Sequence, residues 1–117
     1  MSTALIFFDS PFLSDIVQRM IVDLGFDSVV ISDAKKFSEE LSDKKIDVAL
    51  TDAFYQGKEN PFLNKLKEKK VPFLIISDKE DPDDIKKALK KGAEEYIIKP
   101  FDHDILQSKL SIMGIIK

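Results

Sequence analysis

The sequence predicts an α/β fold in which one parallel sheet of five strands lies between layers of helices. Three observations carry that prediction. Short apolar runs alternate five times with longer segments of helical periodicity. The connections between them are short, as in consecutive βαβ units. The apolar runs are continuous rather than alternating, as expected of central strands covered on both faces. With 117 residues, 44% of them apolar, the chain is long enough for one packed core and leaves little room for a second domain.

Ala4 to Phe8 is apolar throughout and reads as the first strand, with Phe7 and Phe8 as core residues. Ser10 is placed to cap a helix, and Pro11 takes the first helical position, where its missing N–H costs nothing. Leu13, Ile16, Val17, Met20, Ile21 and Leu24 recur at helical spacing, and Gly25 stands where a left-handed residue ends the helix. Val29 to Ile31 reads as the second strand. Asp33 then caps a helix through about Leu41, with Phe37 and Leu41 as core contacts. Val48, Ala49 and Leu50 form the third strand, which stops at Thr51-Asp52, and Gln56-Gly57 signals a loop.

Phe62, Leu63 and Leu66 mark a third helix, whose basic end (Lys67-Glu68-Lys69-Lys70) suits the negative pole of a helix. Val71 to Ile76 is the fourth strand, with Pro72 at its start, where no ladder bond is lost. Ser77-Asp78 closes it. The fourth helix has Asp81 as cap, Pro82 at its first position, Asp83 and Asp84 in the first turn, Lys90 and Lys91 in the last, and Gly92 as stop. Its apolar face (Ile85, Ala88, Leu89) is thin. Tyr96 to Ile98 is the fifth strand, closed by Lys99-Pro100-Phe101. Asp102 caps a last helix carrying Ile105, Leu106, Leu110 and Met113.

Composition excludes several classes of function. The net charge of -3 argues against nucleic acid as a main partner, because phosphate backbones call for a basic face. Cysteine is absent, which rules out disulfides and thiolate metal sites and suits a reducing compartment. No apolar run approaches the roughly 20 residues that cross a bilayer, and the N-terminus lacks the basic region and apolar core of a signal peptide. These features read as a cytoplasmic protein without a membrane partner. No Gly-rich loop follows the first strand, which argues against a flavin carrier or a dinucleotide enzyme.

Parallel strands share their carboxyl edge, where open α/β sheets bind ligands. On that edge the sequence places Asp9 after strand one, Asp52 after strand three, Ser77 after strand four and Lys99 after strand five. Asp52 alone could be a turn cap. Together the four supply oxygen ligands for a hard cation, a nucleophilic carboxylate, a hydroxyl and an ammonium, the parts that phosphoryl transfer needs.

Gly92-Ala93-Glu94-Glu95-Tyr96-Ile97-Ile98-Lys99-Pro100-Phe101-Asp102, with Asp9-Ser10-Pro11 and with Asp52 followed by Gly57, resembles the receiver domain of two-component response regulators. The resemblance covers essentially the whole chain, 1–117, and is to single-domain, chemotaxis-like receivers. It implies a flavodoxin-like (βα)5 three-layer sandwich with strand order 2-1-3-4-5. It implies Asp52 as phospho-acceptor from a sensor histidine kinase or phosphotransfer protein. It implies Mg²⁺ on Asp9, Asp52 and the Phe54 carbonyl, and Lys99 and Ser77 on the phosphoryl group. It further implies Ser77 and Tyr96 as switch residues, a cis Lys99-Pro100 bond, and an output face of helix four, strand five and helix five for a downstream protein partner. Such a module promotes its own phosphorylation and dephosphorylation without being a turnover enzyme, and is a monomer or weak homodimer.

The sequence departs from that pattern in places. Phe8 stands where a second acid is usual, which should weaken Mg²⁺ binding. Asp78 replaces a small residue; it either stands in for the missing acid or points to solvent and repels the incoming phosphoryl group, and a loop residue just past a strand favours solvent. Gln56 replaces a frequent Pro, which should loosen the acceptor loop. Phe54 is expected to shield an acyl phosphate from water. His103 and the lysines Lys86, Lys87, Lys90 and Lys91 read as solvated helix positions. With Phe8 and Asp78 in place, a pseudo-receiver, docking without phosphorylation, is the alternative.

Overall fold

The computed structural model of the chain describes residues 2–116. The chain runs β1 (Thr3–Phe7), α1 (Pro11–Asp23), β2 (Asp27–Ile31), a 3₁₀ turn (Ala34–Lys36), α2 (Phe37–Asp43), β3 (Val48–Thr51), β4 (Phe54–Tyr55), β5 (Lys58–Glu59), α3 (Leu63–Glu68), β6 (Phe73–Ser77), α4 (Pro82–Lys90), β7 (Glu95–Ile98) and α5 (His103–Ile112). Five strands form one parallel sheet in the order β2-β1-β3-β6-β7. This is the expected order 2-1-3-4-5, counted over the strands of that sheet alone.

The continuous apolar strands bury both of their faces, which divides the core into two halves. On one side Ala4, Ile6, Val48, Leu50, Leu74 and Ile76 pack against Val17 and Ile21 of α1 and Leu106 and Leu110 of α5. On the other, Leu5, Phe7, Ala49, Phe73 and Ile75 meet Phe37 and Leu41 of α2, Leu63 and Leu66 of α3, and Ala88 of α4. Each Val, Leu, Ile or Phe side chain among them, buried from water, contributes about 1.5–3 kcal/mol before the entropy of ordering it is subtracted.

The caps act where the sequence placed them. The Leu13 N–H donates to Ser10 Oγ at 3.2 Å, the Asp83 N–H to Asp81 Oδ1 at 2.9 Å, and the Ile105 N–H to Asp102 Oδ1 at 2.9 Å. Gly25 follows α1 at φ 93° and Gly92 follows α4 at φ 111°, conformations that other residues avoid.

One element was not expected. The segment after β3 is a β-hairpin, in which Phe54 pairs with Glu59 and Tyr55 with Lys58 across the antiparallel strands β4 and β5. Gln56 (φ 53°) and Gly57 (φ 75°) form its two-residue turn, both with positive φ, as turns that match strand twist require. Strands of two residues are too short for periodicity to reveal, and Gln-Gly is a weaker turn signal than Asn-Gly. The Tyr55 ring lies 4.7 Å from that of Phe7, so the hairpin rests on the core.

Candidate functional site

Parallel register sets the site. Phe7 of β1 lies beside Thr51 of β3, Thr51 beside Ile75 of β6, and Ser77 beside Ile98 of β7. Asp9 therefore follows β1, Asp52 follows β3 directly, Ser77 ends β6 and Lys99 follows β7. The Lys99 N–H donates to the Ser77 carbonyl at 2.9 Å, which ties the last two strand ends together. All four residues singled out from the sequence share one edge.

Asp52 is half-buried, and its Oδ1 accepts the Phe54 N–H at 3.2 Å. Burial pushes the Asp52 carboxyl above its ordinary value of 3.8, against the pull of the Phe54 N–H, the Ser77 hydroxyl, the Ala53 N–H and the Lys99 ammonium. Lys99 acts on it through space, without an ion pair within 4.0 Å. Ser77 is fully buried, and its Oγ accepts the Lys79 N–H at 3.1 Å.

The Tyr96 hydroxyl donates to the Lys79 carbonyl at 2.8 Å, and the Lys79 ammonium stands 5.7 Å from the centre of the Phe54 ring. The loop after β6 is thus held at Lys79 by three groups: Ser77 on its N–H, Tyr96 on its carbonyl and Phe54 beside its ammonium. Burial raises the Tyr96 hydroxyl above 10.0, opposed by the Ser77 hydroxyl and assisted by the charges of Asp52, Asp84 and Asp78. Asp9 is exposed, and its Oδ2 accepts the Gln56 N–H at 2.6 Å, so the first strand's carboxylate holds the tip of the hairpin.

A model of the response regulator receiver domain matches residues 4–111. The chain belongs to that family. Among its relatives, the transcriptional regulatory protein MalR of Bacillus subtilis is 31% identical over 116 residues, covering 95% of this chain and 49% of MalR. The DNA-binding response regulator MtrA of Mycolicibacterium smegmatis is 26% identical over 95 residues, covering 80% of this chain and 42% of MtrA. The chain spans about half the length, or less, of these relatives. A two-component response regulator from Clostridium difficile has the same fold, with a TM-score of 0.87 at 16% identity over 97% of this chain and 96% of that one. The receiver domain of NtrX from Brucella abortus gives a TM-score of 0.84 at 22% identity over 96% and 97%. Receiver domains are signalling modules rather than turnover enzymes.

The donor chemistry of this receiver suits a hard dication in kind and falls short in number. Asp9 and Asp52 offer carboxylates and Phe54 a carbonyl, all oxygen. Phe8 is buried in the core with Ala4, Ile6 and Val17 and supplies no oxygen. Asp78 is exposed, and among the described residues no three His, Cys, Asp or Glu side chains form a metal-binding group. Asp78 therefore does not complete an acidic triad with Asp9 and Asp52 in this conformation. Two carboxylates and a carbonyl would leave about half of an octahedral magnesium shell to water.

The remaining sequence expectations land as follows. The Lys99-Pro100 bond is cis. Phe54 is half-buried beside the acceptor. His103 opens α5 and is half-buried rather than fully solvated. Lys86, Lys87 and Lys90 are exposed, whereas Lys91 reaches Glu59 of β5 at 2.8 Å. Sequence reasoning missed the parts played by Asn60, Thr51 and Lys79, and it read Gln56 as loosening the loop without the bond from its N–H to Asp9; these groups act mainly through backbone groups or buried hydrogen bonds and carry no charge pattern that marks them. Asn60-Pro61 was the one available signal, as a turn-forming pair before a helix. Among the described residues no helix is long and apolar enough to cross a membrane.

Proposed function

We propose that the chain is a phosphorylation-switched receiver with Asp52 as phospho-acceptor. An Asp52 carboxylate oxygen attacks the phosphorus of a phosphohistidine on a sensor histidine kinase or phosphotransfer protein. A P–O bond forms as the P–N bond breaks; its electron pair returns to the imidazole, which takes up a proton. The Phe54 N–H occupies Oδ1, which leaves Oδ2 to attack. Asp9, Asp52 and the Phe54 carbonyl would hold Mg²⁺, whose chemistry when bound is to neutralise charge on the transferring phosphoryl oxygens. The Lys99 ammonium adds a point charge. Ser77 Oγ accepts from Lys79 while its hydroxyl faces the Asp52 carboxyl, from which its proton would turn to a phosphoryl oxygen.

Such a bond draws Ser77 and the Lys79 loop towards Asp52. Tyr96, bonded to the Lys79 carbonyl, follows. The face of α4, β7 and α5 then changes towards a downstream protein partner, with Leu89 (45%), Ile98 (38%) and Ile105 (42%) exposed on it. In this reading the module is cytoplasmic, a monomer or weak homodimer, and does not contact nucleic acid or membrane itself.

The observation that supports this most is the convergence of Asp9, Asp52, Ser77 and Lys99 on one sheet edge, with Asp52 partly withdrawn from water. Incubation with acetyl phosphate and Mg²⁺ should add one phosphoryl group by mass, and Asp52→Asn should abolish it. No adduct at millimolar Mg²⁺ refutes the proposal. Burial of Phe8 where an acid is usual favours the second reading, a pseudo-receiver that docks without phosphorylation. Partner binding unchanged by acetyl phosphate and by Asp52→Asn would select it.

A further inference from the structure

Thr51 and Asn60 are buried polar residues that meet directly beneath Asp52. The Asn60 side-chain amide donates to Thr51 Oγ1 at 3.1 Å and to the Asp52 carbonyl at 2.9 Å. The Thr51 hydroxyl donates in turn to the Phe7 carbonyl at 2.5 Å. Asn60 Oδ1 accepts the Phe62 N–H at 2.9 Å, and the Asn60 N–H donates to the Ala53 carbonyl at 2.9 Å. Asn60 thereby uses both amide hydrogens, its side-chain oxygen and its backbone N–H.

The termini of this chain of bonds matter. Phe7 ends β1, two residues before Asp9. Thr51 ends β3, one residue before Asp52. The Asp52 and Ala53 carbonyls lead into Phe54, whose N–H caps the Asp52 carboxylate. Asn60 closes the hairpin whose tip Asp9 holds. Sheet pairing already fixes β1 against β3 up to Phe7 and Thr51; beyond those residues the polar chain takes over.

We propose that Thr51 and Asn60 are positioning residues for phosphoryl acceptance, a buried rivet that fixes the Asp9 and Asp52 strand ends and the hairpin base relative to one another. This rests on the reading of Asp52 as phospho-acceptor. A purely structural role for Asn60 would be the cap before α3, made by Oδ1 to the Phe62 N–H. Aspartate makes that cap equally well. The two amide donors towards Thr51 and Asp52 go beyond it, and aspartate lacks them. A misplacement on the order of 1 Å between reacting groups costs about 10²-fold in rate.

The test compares wild type, Thr51→Val, Thr51→Ser, Asn60→Asp and Asp52→Asn in two measurements. One is the rate of phosphoryl adduct formation from acetyl phosphate with Mg²⁺. The other is hydrogen exchange at the Phe54 and Gln56 amides, which report on the Asp52 and Asp9 carboxylates without any phosphorylation. The expected result is a rate loss of about 10- to 100-fold in Thr51→Val and Asn60→Asp, with faster exchange at both amides, and recovery of both in Thr51→Ser. Folded Thr51→Val and Asn60→Asp variants with the wild-type rate and wild-type exchange overturn the rivet. If wild type forms no adduct, or if Asp52→Asn still does, the acceptor reading fails instead, and amide exchange alone decides the rivet. If both variants fail to fold, the side-chain amide of Asn60 in the wild type decides it: slow exchange supports the rivet, and exchange at the free-amide rate overturns it.

Discussion

Replacing Gln56 by proline separates two physical effects of opposite sign. On chain entropy alone, proline in a loop stabilises by about 0.4–1 kcal/mol. In this fold it does the reverse. Gln56 sits at φ 53°, and proline is locked near φ of about −65°, so the hairpin turn cannot form. Proline also deletes the N–H that donates to Asp9 Oδ2 at 2.6 Å. A hydrogen bond to a charged group contributes about 1.5–3 kcal/mol, and the exposure of Asp9 puts this one at the low end. The pairs Phe54–Glu59 and Tyr55–Lys58 are lost with the turn. The hairpin pairs only with itself, outside the five-stranded sheet, so the loss is capped at the cost of its local opening. The net expectation is a destabilisation of about 2 kcal/mol, roughly 8 °C in Tm for a domain of this size. Urea unfolding followed by circular dichroism measures it, and amide exchange at Asn60 shows whether the hairpin has opened. A Gln56→Pro variant as stable as wild type, or more stable, would refute the reasoning. Gly57→Ala is the companion: at φ 75° with open space around the added methyl, its cost of about 1–2 kcal/mol is backbone strain alone.

Asp52→Asn raises Tm at pH 7, because the folded Asp52 carboxyl titrates above its ordinary 3.8 and its ionised form is the disfavoured one; the gain shrinks as pH falls through the raised folded value and is gone below 3.8, and a gain independent of pH would sink the account. Phe54→Ala speeds decay of the phosphorylated form by removing the half-buried ring beside the acceptor and the seat of the Lys79 ammonium; an unchanged half-life counts against shielding. Gly92→Ala costs about 1–2 kcal/mol or more by thermal unfolding, since φ is 111° and the new methyl meets Lys67 Cδ at 3.4 Å and Phe73 Cε1 at 3.5 Å. Tyr96→Phe deletes the bond to the Lys79 carbonyl at 2.8 Å and loosens the loop by about 0.5–1.5 kcal/mol, visible as faster exchange at the Lys79 amide.

The sequence by itself determined the architecture and the site's address. Continuous apolar strands, capped amphipathic helices and short connections admit a parallel sheet covered on both sides, and parallel strands bring Asp9, Asp52, Ser77 and Lys99 to one edge whatever their separation in the chain. Only the tertiary structure decided how those groups are held. The hairpin over residues 54–59 has strands of two residues, below the reach of any periodicity. Its anchoring depends on Asp9 meeting a backbone N–H 47 residues away. Asn60 and Thr51 look like ordinary loop and strand-end residues until folding buries them and forces every polar atom to find a partner. Local pattern records which side chains seek the core; hydrogen bonds between distant segments, and the carboxyl that burial raises, exist only after the strands have met.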